Sequence, residues 1–97
     1  MKRRKAEEEK QKEQELAWIG DSVLDLYARS WILRQGKGLD GPQAQRMTSN
    51  QFLSCFGNPT AVEAEIGTIY EEKGLETAFE WIEAELIPLF LKQEKNR

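Results

Sequence analysis

Residues 16–27 read Leu-Ala-Trp-Ile-Gly-Asp-Ser-Val-Leu-Asp-Leu-Tyr, an apolar stretch that carries two acids. Its apolar side chains recur at steps of three and four residues, which is typical of a helix with one buried face. Asp21 and Asp25 are one helical turn apart and share a face, where two like charges repel. Such an acid is costly unless its face is wet or binds a cation. The stretch therefore predicts a core helix with Asp21 as a candidate metal ligand.

A second apolar stretch with acids, residues 60–70, reads Thr-Ala-Val-Glu-Ala-Glu-Ile-Gly-Thr-Ile-Tyr. Glu63 lies among its apolar residues, while Glu65 points roughly to the opposite side of the helix. If Gly20 lets the two helices pack closely, the Asp21 face meets the Glu63 face. A Mg²⁺ ion bridges such a pair, because it takes a few carboxylate oxygens and keeps several waters. Spacing alone leaves open the ordinary alternative that both acids are simply solvated.

The remaining sequence predicts helices throughout, because no stretch alternates apolar and polar residues for long. Glycines, prolines and cap residues set the expected bounds. We expect four helices: from the charged leader to about Gln35, from Asp40 towards Gly57, from Pro59 to about Lys73 with Asn58 as N-cap, and from Leu75 onwards with Pro88 as a candidate bend. The prediction is one all-α, bundle-like domain over residues 13–97, preceded at residues 1–12 by a charged basic leader or helix extension.

Composition excludes several classes of protein. The chain has 97 residues, of which 39% are hydrophobic and 32% charged, so we expect one globular domain. No apolar run is long enough to span a bilayer and the amino terminus is not a secretory signal, which predicts a cytoplasmic protein with no membrane partner. With one cysteine and no histidine, a structural zinc site and a histidine-based triad are excluded. Catalysis would need carboxylates, hydroxyls or metal ions, and no organic cofactor is indicated.

The charge is distributed unevenly along the chain. The net charge is −3, whereas a typical nucleic-acid-binding protein is basic. Residues 1–12 carry +3 and residues 13–97 carry −6. A basic arm adds salt-dependent attraction to phosphates. A mixed Lys/Glu segment is more often a solvated helix end, which is the alternative interpretation of this leader.

The order and identity of these residues resemble a known enzyme family. Residues 16–27 resemble the signature helix of the ribonuclease III family, Leu-Glu-Phe-Leu-Gly-Asp-Ser-Val-Leu-Glu-Leu. Residues 62–70, followed by Gly-Leu-Glu at 74–76, resemble the family's other acidic helix, Phe-Glu-Ala-Leu-Ile-Gly-Ala-Ile-Tyr. Residues 45–51 take the place of the intermediate helix of the family. The resemblance covers about residues 16–86.

Departures from the family pattern narrow the resemblance. Family enzymes present four acids per site, and this chain has acids at two of the matching positions. Ala17 and Thr60 stand where the other two would be. This combination is similar to the short Mini-ribonuclease III type, which lacks a separate double-stranded-RNA-binding domain. The connection at residues 56–59 is shorter than in that type, which removes expected RNA contacts, and Glu65 replaces an apolar residue.

The resemblance implies hydrolysis of phosphodiesters in double-stranded or structured RNA by a two-fold homodimer, leaving 5′-phosphate and 3′-hydroxyl ends. It implies Mg²⁺, or Mn²⁺, held by Asp21 and Glu63 as the catalytic pair. Asp25 and Thr60 are candidates to orient these ligands, or a metal-bound water, without contacting the metal themselves. Family members place an aromatic residue of one subunit in a pocket of the other, which makes Trp18 the candidate dimer contact. Its alternative is packing within its own subunit.

Two other functions are compatible with the sequence. One is a catalytically reduced ribonuclease III-like dimer that binds RNA or associates with the ribosome, as the missing acids and the acidic body favour. The other is a small helical interaction module with the leader as a longer helix or coiled coil. Among the remaining residues, Trp31 and Trp81 are expected in the core or at its rim, and Cys55 is expected to be buried as a small hydrophobe.

Overall fold

A computed structural model describes the backbone of residues 2–96 and the side chains of residues 5–96. Within that range the chain forms only helices, with no strand. Six helices are present: α1 (Lys2–Arg34), α2 (Gly41–Thr48), α3 (Asn50–Phe56), α4 (Pro59–Lys73), α5 (Leu75–Glu85) and α6 (Ile87–Lys95). The all-α prediction is therefore confirmed. None of the helices in this range is long and apolar enough to cross a membrane.

The central feature of the fold is the close packing of α1 against α4, as the sequence predicted from Gly20. A methyl group on Gly20 would overlap the backbone carbonyl of Glu63 and lie 2.9 Å from the amide nitrogen of Gly67. Gly67 is equally tight, because a methyl group there would overlap the carbonyl of Leu16. Contacts that step back along α1 from Gly20 to Leu16 step forward along α4, so the two helices run antiparallel. Two glycines thus bring the backbones together.

A hydrophobic core holds the other helices around this pair. Tyr27 of α1 is 1% exposed and packs edge to face against Phe79, with ring centroids 5.2 Å apart. Phe90 of α6 packs in the same way against Phe52 at 5.6 Å. Fifteen buried residues form one cluster: Val23, Leu24, Tyr27, Ala28, Ile32, Met47, Phe52, Leu53, Val62, Ile66, Ala78, Ile82, Leu86, Ile87 and Phe90. Every helix contributes to this cluster, so the core is continuous.

Two of the predicted helices are each divided in two. The expected helix from Asp40 to Gly57 breaks at Ser49, whose extended backbone ends α2 and begins α3. The Ser49 hydroxyl accepts the amide proton of Phe52 at 3.1 Å and donates to the carbonyl of Arg46 at 3.3 Å. The last predicted helix breaks at Leu86, two residues before Pro88, which cannot donate the next helical hydrogen bond. The bend anticipated at Pro88 is thereby confirmed.

The long helix α1 includes the leader. It runs through residues 12 and 13 without interruption, so the described part of the leader is a helix extension. The side chains of residues 5–12 are exposed, and those of residues 1–4 lie outside the described part. The body and this extension measure 53 × 27 × 21 Å along the principal axes. The charged segment therefore projects along the axis of α1.

The three tryptophans differ in burial, and the prediction for Cys55 is wrong. Trp31 and Trp81 are partly buried against the core, as expected. Trp18 does not pack within its own subunit, since 77% of its side chain is exposed. Cys55 is exposed, contrary to the prediction that it is a buried hydrophobe. The short helix α3 buries Phe52 and its neighbour instead, and Cys55 lies on the other side.

Candidate metal centre

Asp21 and Glu63 meet at the crossing of α1 and α4. Asp21 follows Gly20, whose Cα faces the carbonyl of Glu63, so the glycine contact sets both acids side by side. Their side chains line one open cleft of about 390 Å³. The other residues around this acidic cleft are Gln14, Ala17, Trp18, Asn50 and Thr60. The predicted meeting of the two acidic faces is thus present in the structure.

The two carboxyl groups interact strongly. Partial burial, a hydrogen bond with Asp21 and repulsion from the Asp21 charge together raise the pKa of Glu63 from 4.5 to about 7, with burial the largest cause. Near neutral pH the Glu63 carboxyl is therefore protonated in about half of the molecules, and in that form it donates a hydrogen bond to Asp21. A divalent cation would take the place of this proton and remove the repulsion. In this respect the residues fit a hard metal ion such as Mg²⁺.

The raised pKa of Glu63 predicts that the fold loses stability as the pH rises. The folded-state pKa lies above the unfolded value, so the contribution of Glu63 is complete below about pH 4.5 and is lost as the pH passes about 7. After allowance for the solvent that screens its exposed part, we expect a loss of about 1 kcal/mol. Urea unfolding of the wild type and Glu63→Gln at pH 5 and pH 8, without divalent ions, measures it.

The control for this pH prediction is Glu65→Gln on the same helix. Glu65 is exposed and lies outside the acidic cleft. From pH 5 to pH 8, the free energy of unfolding should fall more in the wild type and in Glu65→Gln than in Glu63→Gln. If the free energy of unfolding changes equally with pH in all three proteins, ionisation of Glu63 does not destabilise the fold.

The two residues predicted to support the acids lie in different places. Thr60 lines the acidic cleft, one turn before Glu63 on α4. Asp25 instead lines a separate cavity of about 590 Å³, together with Arg29. Ala17 is buried beside the cleft, where the family pattern has an acid. Of the predicted site residues, the structure thus groups Asp21, Glu63, Thr60 and Trp18.

Two amide side chains in the cleft were not anticipated from the sequence. Gln14 is seven residues before Asp21 on α1, and this two-turn spacing is a signal that could have identified it. Asn50 reaches the cleft because α3 begins at this residue, after the break at Ser49. Among residues 5–96, no group of three or more His, Cys, Asp or Glu side chains could hold a metal. A metal at this cleft would therefore need oxygen donors beyond the two carboxylates.

The exposed face of α1 beside the cleft carries three large apolar side chains among polar ones such as Ser22 and Arg29. Trp18, Leu26 and Leu33 are 77%, 48% and 54% exposed and fall within one stripe of the helix. Leu33 of this stripe lines the 590 Å³ cavity, which lies between α1 and the segment that leads into α2 and whose other residues from α1 are Asp25, Arg29 and Ile32. Leu39 is 91% exposed at its rim. The same side of the protein thus presents a protruding indole on α1 and a cavity, partly lined by apolar residues, between α1 and α2.

Comparisons with known proteins identify no relative of this chain. No family model matches the sequence. Neither the curated proteins nor the solved structures include a significant match. The interpretation of the site therefore depends on the two acidic helices, the order of their motifs and the cleft between them.

Proposed function

We propose that the protein is a Mg²⁺-dependent endoribonuclease of the ribonuclease III type, which hydrolyses double-stranded or structured RNA to 5′-phosphate and 3′-hydroxyl ends. The observation that carries the proposal is the juxtaposition of Asp21 and Glu63 in an open cleft. These are the two acids that the motif resemblance assigns to metal binding. The close contact of α1 and α4 at Gly20 and Gly67 places the two acids side by side even though their like charges repel.

In the proposed mechanism, Asp21 and Glu63 hold the metal ion. When bound, Mg²⁺ would acidify a water nucleophile and neutralise the charge that develops on the phosphate and the leaving oxygen. Glu63 would lose its proton to solvent as the ion binds, since both compete for the same oxygens. The openness of the cleft leaves room for waters and for phosphate oxygens of the RNA.

The exposed stripe of α1 supports a second copy of the chain as the protein partner. In a two-fold dimer each subunit uses the same surface. A protruding side chain of each subunit can therefore enter the cavity of the other, so the contact forms twice. Trp18 would enter the apolar cavity beside Leu33 and Leu39 of the other subunit. Aromatic side chains that fill pockets commonly dominate the energy of such contacts.

For this dimer we expect Trp18→Ala to convert the protein to a monomer without loss of helix. The exposed indole contributes little within its own subunit, so folding should be kept. Sedimentation equilibrium and circular dichroism at the same concentration measure the two effects. Leu91→Ala, which truncates an exposed residue of α6, is the matched control and should remain dimeric. A wild type that is monomeric at tens of micromolar would refute the proposed interface.

The second candidate function is RNA binding without cleavage. It is favoured by the presence of only two acids where the family pattern has four, since fewer carboxylates weaken catalysis without preventing RNA binding. A long RNA duplex incubated with excess protein separates the two functions. We expect cleavage in Mg²⁺ and binding without cleavage in Ca²⁺. Binding in both ions with no product would favour the second candidate.

A further inference from the structure

The acidic cleft offers a hard cation too few charged ligands for tight binding. Asp21 and Glu63 supply the only carboxylates around it, as defined by the residues that line the cleft. Neutral amide oxygens are suitable additional ligands for Mg²⁺, Mn²⁺ and Ca²⁺, because these ions prefer oxygen donors. An amide also adds no negative charge to a pair that already repels. The donor that completes such a site should therefore be an Asn or Gln side chain.

Asn50 meets this requirement through the break between α2 and α3. It is the first residue of α3, and the capping hydrogen bonds of Ser49 fix the backbone immediately before it. If residues 41–56 formed one continuous helix, the Asn50 side chain would point in a different direction. Within residues 5–96, no other side chain is hydrogen-bonded to the Asn50 amide. Its oxygen is therefore free to accept a ligand in the cleft.

The neighbouring residue shows that the placement is specific. Gln51 is also exposed and also lies in the first turn of α3, but it lines a different cleft with Arg46 and Glu94. The acidic cleft receives Asn50 alone from this helix. The two adjacent amides thus differ in location and are alike in chemistry.

We propose that the Asn50 side-chain oxygen is a third protein ligand for the divalent cation held by Asp21 and Glu63. The inference rests on the proposed function, because it assumes that the two acids bind metal. It deepens that function by adding a neutral ligand from a third helix. The metal then links α1, α3 and α4.

The test is the affinity of the full-length protein for Mn²⁺ alone, measured by the loss of the free-ion electron paramagnetic resonance signal. We expect Asn50→Ala to weaken Mn²⁺ binding about tenfold. Gln51→Ala, the matched truncation, should bind like the wild type. Asn50→Asp should bind more tightly than Gln51→Glu, which adds the same charge one residue away. Circular dichroism of each variant checks the fold.

The outcomes separate the inference from the function on which it rests. If Asn50→Ala binds Mn²⁺ as well as Gln51→Ala while Asp21→Asn abolishes binding, Asn50 is not a ligand and the metal site stands. If Asn50→Asp is no tighter than Gln51→Glu, the oxygen of residue 50 does not reach the ion. A wild type that binds no Mn²⁺ at millimolar concentration would overturn both the inference and the metal-dependent function.

Discussion

Gly20→Ala is expected to destabilise the protein by about 3 kcal/mol or more, a large fraction of the stability of a domain of this size. The added methyl group would overlap the carbonyl of Glu63 and approach the amide nitrogen of Gly67. Backbone cannot rotate away as a side chain can, so α1 and α4 must move apart and open the core. The gain of about 1 kcal/mol from better helix propensity is much smaller than this cost.

Urea unfolding measures the effect of Gly20→Ala, and Gly41→Ala is its matched control. A methyl group on Gly41 would meet no atom within 4 Å, and its backbone is not left-handed. We therefore expect Gly41→Ala to change the free energy of unfolding by no more than about 0.5 kcal/mol. A Gly20→Ala protein as stable as Gly41→Ala would mean that α1 and α4 do not pack at this distance. The candidate site would then lose its geometric basis.

Replacing either acid of the cleft should have the largest effect on activity. If the proposed function is correct, we expect Asp21→Asn and Glu63→Gln each to reduce RNA cleavage at least about 100-fold, because each removes a charge from the proposed metal site. Both substitutions keep the size of the side chain. Glu63→Gln should also stabilise the metal-free protein above pH 7, since a neutral amide removes the cost of partly burying a charge and the repulsion by Asp21.

Single-turnover cleavage of a defined duplex under saturating Mg²⁺ distinguishes loss of chemistry from loss of RNA binding. Glu65→Gln is the control, because it removes one negative charge from the exposed side of the same helix. It should cleave like the wild type. If Glu65→Gln is as defective as Glu63→Gln, the effect comes from overall charge, and the cleft is not the catalytic centre.

Much of the fold could be predicted because local signals and packing agree. Gly36 ends α1 in a left-handed conformation, and Asn58 caps α4 through a 3.0 Å bond from the Ala61 amide. The break at Ser49 was missed, since apolar residues continue at helical spacing across it and a serine inside a helix is common. Its hydroxyl caps α3 by accepting the amide proton of Phe52, whose side chain is buried in the core. The exposure of Cys55 depends on that same break.

The candidate site was predictable to the extent that it depends on one helix crossing. Gly20 indicated close packing, and this contact brings Asp21 to Glu63. Asn50 could not be placed, because its position depends on where α3 begins. The location of Asp25 beside the larger cavity likewise depends on α2, which forms the opposite wall. Sequence patterns define faces of single helices, whereas clefts form between helices whose relative orientation the core decides.

The central claim is that Asp21 and Glu63 form the metal site of an RNA-cleaving enzyme. Its most direct measurement is the cleavage of an end-labelled RNA duplex by excess wild-type protein in Mg²⁺, with analysis of the product ends. The account predicts internal cuts with 5′-phosphate and 3′-hydroxyl ends, absent when Asp21→Asn replaces the wild type. An intact duplex after prolonged incubation with the folded wild type, or equal cleavage by Asp21→Asn, would contradict it.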